Sequence, residues 1–296
     1  MLIELGPRTL VAPGGVNVGV LRGDAGQIVL VDTGLNEANA KKALKAAREE
    51  AGGEVVAIVT THAHADHFGG NAAVVKRTGA KVYAPAFDEA FLRYPLLQPI
   101  ALYGGADPLD TLRGNFLLAS PSPVDVVIEP GPLTVAGIEL EIIPLFGHSP
   151  GQIGVLVDDI FYCADVVLPP AVLDKYRILY LFSVSDHLQA LERAAAVSCR
   201  AAVPGHGPAV ADLTELIDRN RTSIEQVAAR VLAFARESVD AGQILADLLQ
   251  HFGANPADAP GFYLLQPTAF AFVSHLHRHG RLRHELRDGR SLWVAV

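Results

Sequence analysis

The chain has 296 residues, half of them hydrophobic, with 32 acidic side chains against 24 basic ones and a net charge of −8. That length allows one large domain or a domain with an appendage, and the acidity argues against a surface built mainly to hold polyphosphate. No apolar run approaches the ~18 residues of a membrane span, the N-terminal MLIELGPRTLVAPGG lacks a signal-peptide pattern, and Cys163 and Cys199 alone give no disulfide framework.

A cytoplasmic protein with no membrane segment is therefore expected. Residues 8–11, 16–22 and 27–31 read as short strands between glycine-rich turns, the third ending in Val31-Asp32-Thr33-Gly34. Asn36 is placed to cap a helix over 36–50, which Gly52-Gly53 stop. Residues 55–60 are apolar and β-branched, as a buried strand requires, and they run into His62-Ala63-His64-Ala65-Asp66-His67. If the backbone stays extended past Thr61, a period of two puts His62, His64 and Asp66 on one side. His67 then turns away into a helix that ends at Gly79, and a strand comes next at 81–84. Antiparallel strands followed by β-α-β-α units predict an α/β or α+β layered domain.

From Pro85 to about Pro123 the pattern breaks. Phe87, Phe91, Tyr94, Leu96 and Tyr103 alternate there with prolines and glycines. This reads as a partly helical insertion near the histidine cluster, either lining a pocket or packed as an ordinary excursion. Strands resume at 124–128, 132–135 and 138–145, the last ending in Gly147-His148-Ser149-Pro150-Gly151. Two more, at 152–157 and 160–164, lead to Asp165. A helix over 185–197 begins near Ser185 or Asp186, and a strand at 201–203 runs into Pro204-Gly205-His206-Gly207. Beyond this point residues 213–237 and 240–252 read as amphipathic helices. Residues 267–280 read as a third, with Pro267 at its start and Gly280 at its stop, and Arg281–Val296 as a hairpin turning at Asp288-Gly289.

Four potential ligands within six residues, spaced by alanine, suit a metal better than a core or a solvated loop, because imidazole and carboxylate must converge to bind a cation. His148, Asp165 and His206 also lie just past the ends of strands, and strand ends on one edge of a layered sheet converge. Seven such residues at four exits make a dinuclear site.

With these motifs in hand, the chain resembles the metallo-β-lactamase superfamily of binuclear metallohydrolases over roughly residues 15–210. The resemblance implies a four-layer αββα sandwich over residues 1–212 with an insertion at about 85–123. It also likens residues 213–296 to the winged-helix-like extension of a subgroup that includes an endoribonuclease. One metal would take His62, His64 and His148, the other Asp66, His67 and His206, with Asp165 bridging them and Asp32 supporting the ligand histidines from behind. Two Zn2+ ions are the first expectation, with iron or manganese compatible with the same donors. The chemistry implied is hydrolysis by hydroxide held between two cations about 3.5–4 Å apart, with Asp66 orienting the nucleophile. The substrate expected is a small, partly apolar ester, thioester or lactone, met by an apolar pocket from residues 85–103 and 168–182 with Tyr176, Arg177 and Tyr180 as contacts. The runner-up is a phosphodiesterase or ribonuclease, for which Arg278, Arg281, Arg283, Arg287 and Arg290 would face phosphates. A solvated surface or a homo-oligomer contact is the other, favoured reading of that segment.

Rival readings of single motifs are weaker. Ser149 sits in a Gly-x-Ser-x-Gly pattern, but Pro150 has no N–H for an oxyanion hole and a strand comes next where a nucleophile elbow needs a helix. A non-catalytic member of the family conflicts with the retention of all seven ligand types. Cys163 reads as a buried apolar residue, His187 as structural or solvated, and His275, His277 and His279 as a solvated set spread around a helix axis.

Overall fold

The computed structural model describes all 296 residues. One sheet has seven strands in sequence order: β1 (Ile3–Glu4), β2 (Thr9–Ala12), β3 (Val18–Arg22), β4 (Gln27–Val31), β5 (Glu54–Val59), β6 (Lys81–Pro85) and β7 (Val126–Ile128). β1 to β4 pair antiparallel, and β4 to β7 pair parallel. The other sheet runs β8 (Gly131–Val135), β9 (Ile138–Pro144), β10 (Ile153–Val157), β11 (Ile160–Ala164), β12 (Ala201–Pro204), antiparallel except for the parallel pair β11–β12.

The period of two explains how the layers stack. In β4, Val29 and Val31 face the second sheet and pack with Ile142, Val155 and Tyr162. Their neighbours Ile28 and Leu30 face outward, against Ala40, Ala43 and Ala47 of α1 (Glu37–Glu49). A strand buried on both faces reads as a continuous apolar run, which is what Ile28–Val31 shows. Asn36 caps α1 as expected, accepting from the N–H groups of Ala38 and Asn39. Two shorter helices, α2 (Ala65–Phe68) and α3 (Asn71–Thr78), replace the single helix expected after the histidine cluster. Gly69 and Gly70 divide them: a Cβ on Gly69 would lie 1.9 Å from the carbonyl oxygen of Leu35.

The 85–123 insertion is partly helical as expected, with α4 (Asp88–Arg93), α5 (Leu97–Leu102) and a single 3₁₀ turn at Asp110–Arg113. Outside the second sheet lie α6 (Pro170–Tyr176) and α7 (Val184–Ala195), the latter capped by Ser183 rather than by Ser185 or Asp186. Then come α8 (Thr214–Phe234), α9 (Ala241–Phe252), α10 (Ala259–Arg278) and a hairpin of β13 (Leu282–Arg287) and β14 (Arg290–Ala295). The result is the expected sandwich, two sheets face to face with helices on both outer faces.

Proline misleads at α10. Pro267, expected at the helix start, lies inside a helix that begins eight residues earlier, with Asp258 as its cap and Pro260 in its first turn. An internal proline removes one helical hydrogen bond, and here the neighbouring Thr268 hydroxyl points at the Leu264 carbonyl (3.4 Å) while accepting from the Leu181 N–H (3.3 Å). His275 and His279 also differ from the expected scatter. Four residues apart, they share a helix face with ring centroids 4.4 Å apart, and His275 Nδ1 meets Ser185 Oγ at 2.8 Å.

Candidate metal centre

Every ligand-type residue singled out in the sequence lies at one edge of the sandwich, past the ends of β5, β9, β11 and β12. His62 Nε2 and His148 Nε2 lie 3.0 and 2.9 Å from His64 Nδ1, so three imidazole nitrogens converge on one point. Asp66, His67 and His206 form a second group whose ligand atoms also lie within 4.8 Å of one another. Asp165 touches both. Its Oδ2 is 3.4 Å from His148 Nε2 and 3.4 Å from His206 Nε2, while Oδ1 is 3.4 Å from His67 Nε2.

Period-two alternation holds for His62 and His64 and fails beyond them. At Ala65 the chain turns helical, which swings Asp66 toward His206 (3.6 Å) and points His67 into the centre instead of away from it. The two halves differ in access. His62 and His67 are fully buried, whereas the side chains of Asp66 and His206 keep 29% and 20% of their exposure, so solvent reaches the centre past these two.

Behind each of three imidazoles stands an oxygen that fixes which ring nitrogen faces inward. His67 Nδ1 donates to Asp32 Oδ2 at 2.8 Å, His206 Nδ1 to the Gly15 carbonyl at 2.6 Å, and His148 Nδ1 to the Tyr180 carbonyl at 3.2 Å. Such partners set tautomer and ring direction for ligation. Asp32 is itself held by the N–H and hydroxyl of Thr61 (2.8 and 2.7 Å) and stands at φ +62, a left-handed conformation that aspartate tolerates better than most residues.

Burial pushes His62 and His148 well below the ordinary histidine range and His64 down to about 4, leaving all three neutral, the form that binds a metal. For His67, burial acts in the same direction, but Asp165 and Asp32 together outweigh it and hold a proton on the ring. Asp165 mirrors this: burial acts to raise its pKa, and His67 and His206 carry it well below the carboxylate range.

The donor set fits divalent cations. His67 Nε2 and Asp165 Oδ1 are both buried without a hydrogen-bond partner, which in a native core calls for a third party between them. A Cβ on Gly205 would stand 2.0 Å from Asp165 Oδ1, so only glycine leaves that space open.

Two buried residues that hold the centre together carry no signal in the sequence. Asn17 Nδ2 donates to the carbonyls of Pro204 (2.9 Å) and Gly207 (2.6 Å), bracketing His206. Asp88, fully buried, accepts from the Ala63 N–H, the Ser149 hydroxyl and the Gly151 N–H. Ser149 is thus occupied in tying down a turn, not poised as a nucleophile. Of the three expected substrate contacts, Tyr180 walls the centre, its ring 5.3 Å from that of His64 and 5.8 Å from that of His148. Tyr176 and Arg177 are exposed at the end of α6, where Arg177 lies 3.9 Å from Asp174. Cys163 is buried and apolar in its setting, as expected, and its thiol pKa is raised by burial.

The family model for the metallo-beta-lactamase superfamily matches residues 11–206, from β2 to His206. The chain belongs to the metallo-beta-lactamase superfamily. It is accordingly a metal-dependent hydrolase. No curated protein sequence matches it.

Among solved structures, a metallo-beta-lactamase family protein from Thermus thermophilus is 21% identical, with a TM-score of 0.73 over 99% of this chain and 100% of its own. A beta-lactamase domain protein from Burkholderia ambifaria is 17% identical, with a TM-score of 0.77 over 100% of this chain and 93% of its own. A double mutant of the sec-alkyl sulfatase PisA1 is 18% identical with a TM-score of 0.60, covering 94% of this chain and 50% of that one. These likenesses show a shared fold. In this member of the superfamily the family match ends at His206, and both bacterial structures extend the likeness across α8 to β14 as well. No helix is long and apolar enough to cross a membrane.

Proposed function

We propose a dinuclear hydrolase, with zinc as its resident metal, that cleaves an ester, thioester or lactone of a small, partly apolar substrate. The observation that carries this is the meeting of two ligand groups at Asp165, whose Oδ2 is 3.4 Å from both His148 and His206 and whose Oδ1 is 3.4 Å from His67. His62, His64 and His148 would hold one cation and Asp66, His67 and His206 the other, with Asp165 shared. A set of imidazoles and carboxylates without thiolate suits zinc and also tolerates iron or manganese. Bound there, two divalent cations would supply a water acidified toward neutral pH and would polarise the substrate oxygen.

The chain's own residues define the rest. Asp66, the most solvent-accessible carboxylate of the centre, accepts a hydrogen bond from the attacking water and orients it. Asp32 keeps His67 Nδ1 as the donor, so a cation replacing the second ring proton would find Nε2 facing inward. Tyr180 closes the three-histidine side. Two exposed phenylalanines neighbour the His148 turn along the backbone: Phe87 precedes Asp88, and Phe182 donates its N–H to the Gly147 carbonyl. This apolar rim supports an acyl group as the part of the substrate that is held. Tyr176 and Arg177 at the exposed end of α6 are assigned a polar head group.

Metal analysis joined to a substrate panel tests the reading. Hydrolysis of p-nitrophenyl or thioester acyl series by the zinc-loaded protein is expected to rise with chain length and to vanish in Asp66→Ala. A flat response across chain length would remove the apolar pocket from the account.

The second reading, a phosphodiesterase or ribonuclease, is favoured by the C-terminal region. Val239, between α8 and α9, forms a single bridge to Trp293 of β14, and with α8, α9, α10, β13 and β14 in that order this supports a winged-helix reading. Arg290 and Arg283 are engaged with Asp240 and Glu285 there, which leaves Arg278, Arg281 and Arg287 for phosphates. In the same panel, cleavage of phosphodiesters or salt-dependent binding of single-stranded RNA would select this reading, and turnover of alkyl sulfates alone would reject both.

A further inference from the structure

We propose that Asp88 is a positioning residue for the three-histidine half of the centre. Its carboxylate sets the spacing between the His62–His64 loop and the His148 turn, so that their ring nitrogens share one cation. The proposal rests on the dinuclear reading above.

The geometry is specific. Oδ2 accepts from the Ala63 N–H at 3.0 Å and from the Ser149 hydroxyl at 2.6 Å, and Oδ1 accepts from the Gly151 N–H at 3.1 Å. Ala63 lies between two of the ligands and Ser149 directly follows the third. Asp88 forms no ion pair, so these three donors on the ligand-bearing loops meet the charge of a fully buried carboxylate. Apart from one backbone bond, Ile153 N–H to Thr61 carbonyl at 3.0 Å, Asp88 supplies the hydrogen bonds that span the two loops next to the ligands.

The surrounding backbone is shaped to deliver it. Phe87 stands at φ +66, a conformation a bulky residue rarely adopts, and its ring is 75% exposed, so burial of the ring does not offset the strain. The strained residue leads directly into α4, whose first residue, Asp88, is aimed between two loops. Gly151 completes the fit, because a Cβ there would lie 2.2 Å from the Ala86 carbonyl oxygen and 3.4 Å from Asp88 Cγ. His67 and His206 are held from elsewhere, His67 by Asp32 and His206 by the Gly15 carbonyl and by Asn17 on the carbonyls of Pro204 and Gly207, and none of these touches Asp88. Disturbing Asp88 is therefore felt in one half of the centre.

Asp88→Asn keeps the shape of the side chain but replaces one acceptor with an NH2 group. That group faces a donor, which leaves at least one of the three N–H or O–H groups unpaired. Apo protein, wild type and variant, is titrated with zinc alone against a chelator, and the ring nitrogens are followed in 15N-histidine NMR spectra. Wild type is expected to take two equivalents. In Asp88→Asn the His62, His64 and His148 signals are expected to need about tenfold or more free zinc, the range for groups that orient metal ligands, while the His67 and His206 signals respond as in wild type. Uptake of both equivalents at wild-type affinity would overturn the proposal, and so would equal weakening of both halves, the pattern of a general loss of packing. Should Asp88→Asn fail to fold, Ser149→Ala removes a single bond and is expected to give the same split at smaller size; no split in it overturns the proposal. A wild-type protein that takes up no zinc would instead bring down the dinuclear reading itself.

Discussion

Gly205 shows how closely single atoms are constrained around Asp165. The Cβ of an alanine there would fall 2.0 Å from Asp165 Oδ1 and 2.9 Å from His67 Cε1. Gly205→Ala is therefore expected to displace the shared carboxylate, at a packing cost of about 1–3 kcal/mol and a loss of metal affinity of roughly 10–100-fold. Zinc content after exhaustive dialysis measures this, and full retention would contradict the placement of Asp165 between the two ligand groups. The seven convergent histidines and aspartates were legible in the sequence because each sits in a short motif at the end of a strand. Asp88 and Asn17 were not. Each is a lone polar residue in a turn, and its partners lie 25, 61 and 63 residues away for Asp88 and 187 and 190 away for Asn17. Local pattern carries no trace of such pairs. Tyr180 was legible only as one of three aromatic or basic residues in a loop, since which of them faces inward is decided by packing.

Among the elements, those with strong caps or alternation are legible to within a residue or two, β4 and α1 being examples. Failures came where two local rules competed. Pro267 resembles a helix start, and the sequence before it, from Asp258 to Pro260, is an equally good one. The junction of α9 with the hairpin offers a test at this scale. Asp240 caps α9 by accepting from the Gln243 N–H and also meets the Arg290 guanidinium at 2.6 Å. The Arg290 contact, with the cap behind it, holds the Asp240 carboxyl below its usual range. A carboxylate with a lowered folded pKa contributes stability above its unfolded pKa of ~3.9 and loses it as the pH falls through the folded value. Asp240→Asn preserves a competent cap and removes the ion pair. The variant is expected to unfold at slightly lower denaturant than wild type at neutral pH, by about half a kcal/mol for an exposed pair. The gap should close in acid below the ordinary aspartate range. A difference that stays constant with pH would assign the effect to capping alone.

Across the whole molecule, one apolar cluster joins the outer face of the second sheet to the C-terminal helices. Phe161, Cys163 and Leu191 belong to it together with Ile224, Val227, Leu248 and Phe272. The boundary near residue 212 therefore divides the chain by order of elements but not by core. A single calorimetric transition is expected for the full chain, and a fragment ending at 212 should aggregate or bind hydrophobic dyes, because it exposes α7 and the sheet beneath. Two resolved transitions would show instead that the C-terminal residues fold as a separate unit. The sequence announced the convergent histidines and aspartates and the layers, yet nothing in it revealed this shared core, because amphipathic faces read from helices do not say what they face.

The polar contact at Thr268 ties the tail of the chain to the centre. Its hydroxyl holds the Leu181 N–H, and the adjoining Tyr180 carbonyl steers the imidazole of His148. The tail of the chain is thus one peptide unit from a ring of the three-histidine group. A chimaera that exchanged this tail for a cousin's, as one would swap a detachable handle, is therefore expected to shift the aim of that ring along with it.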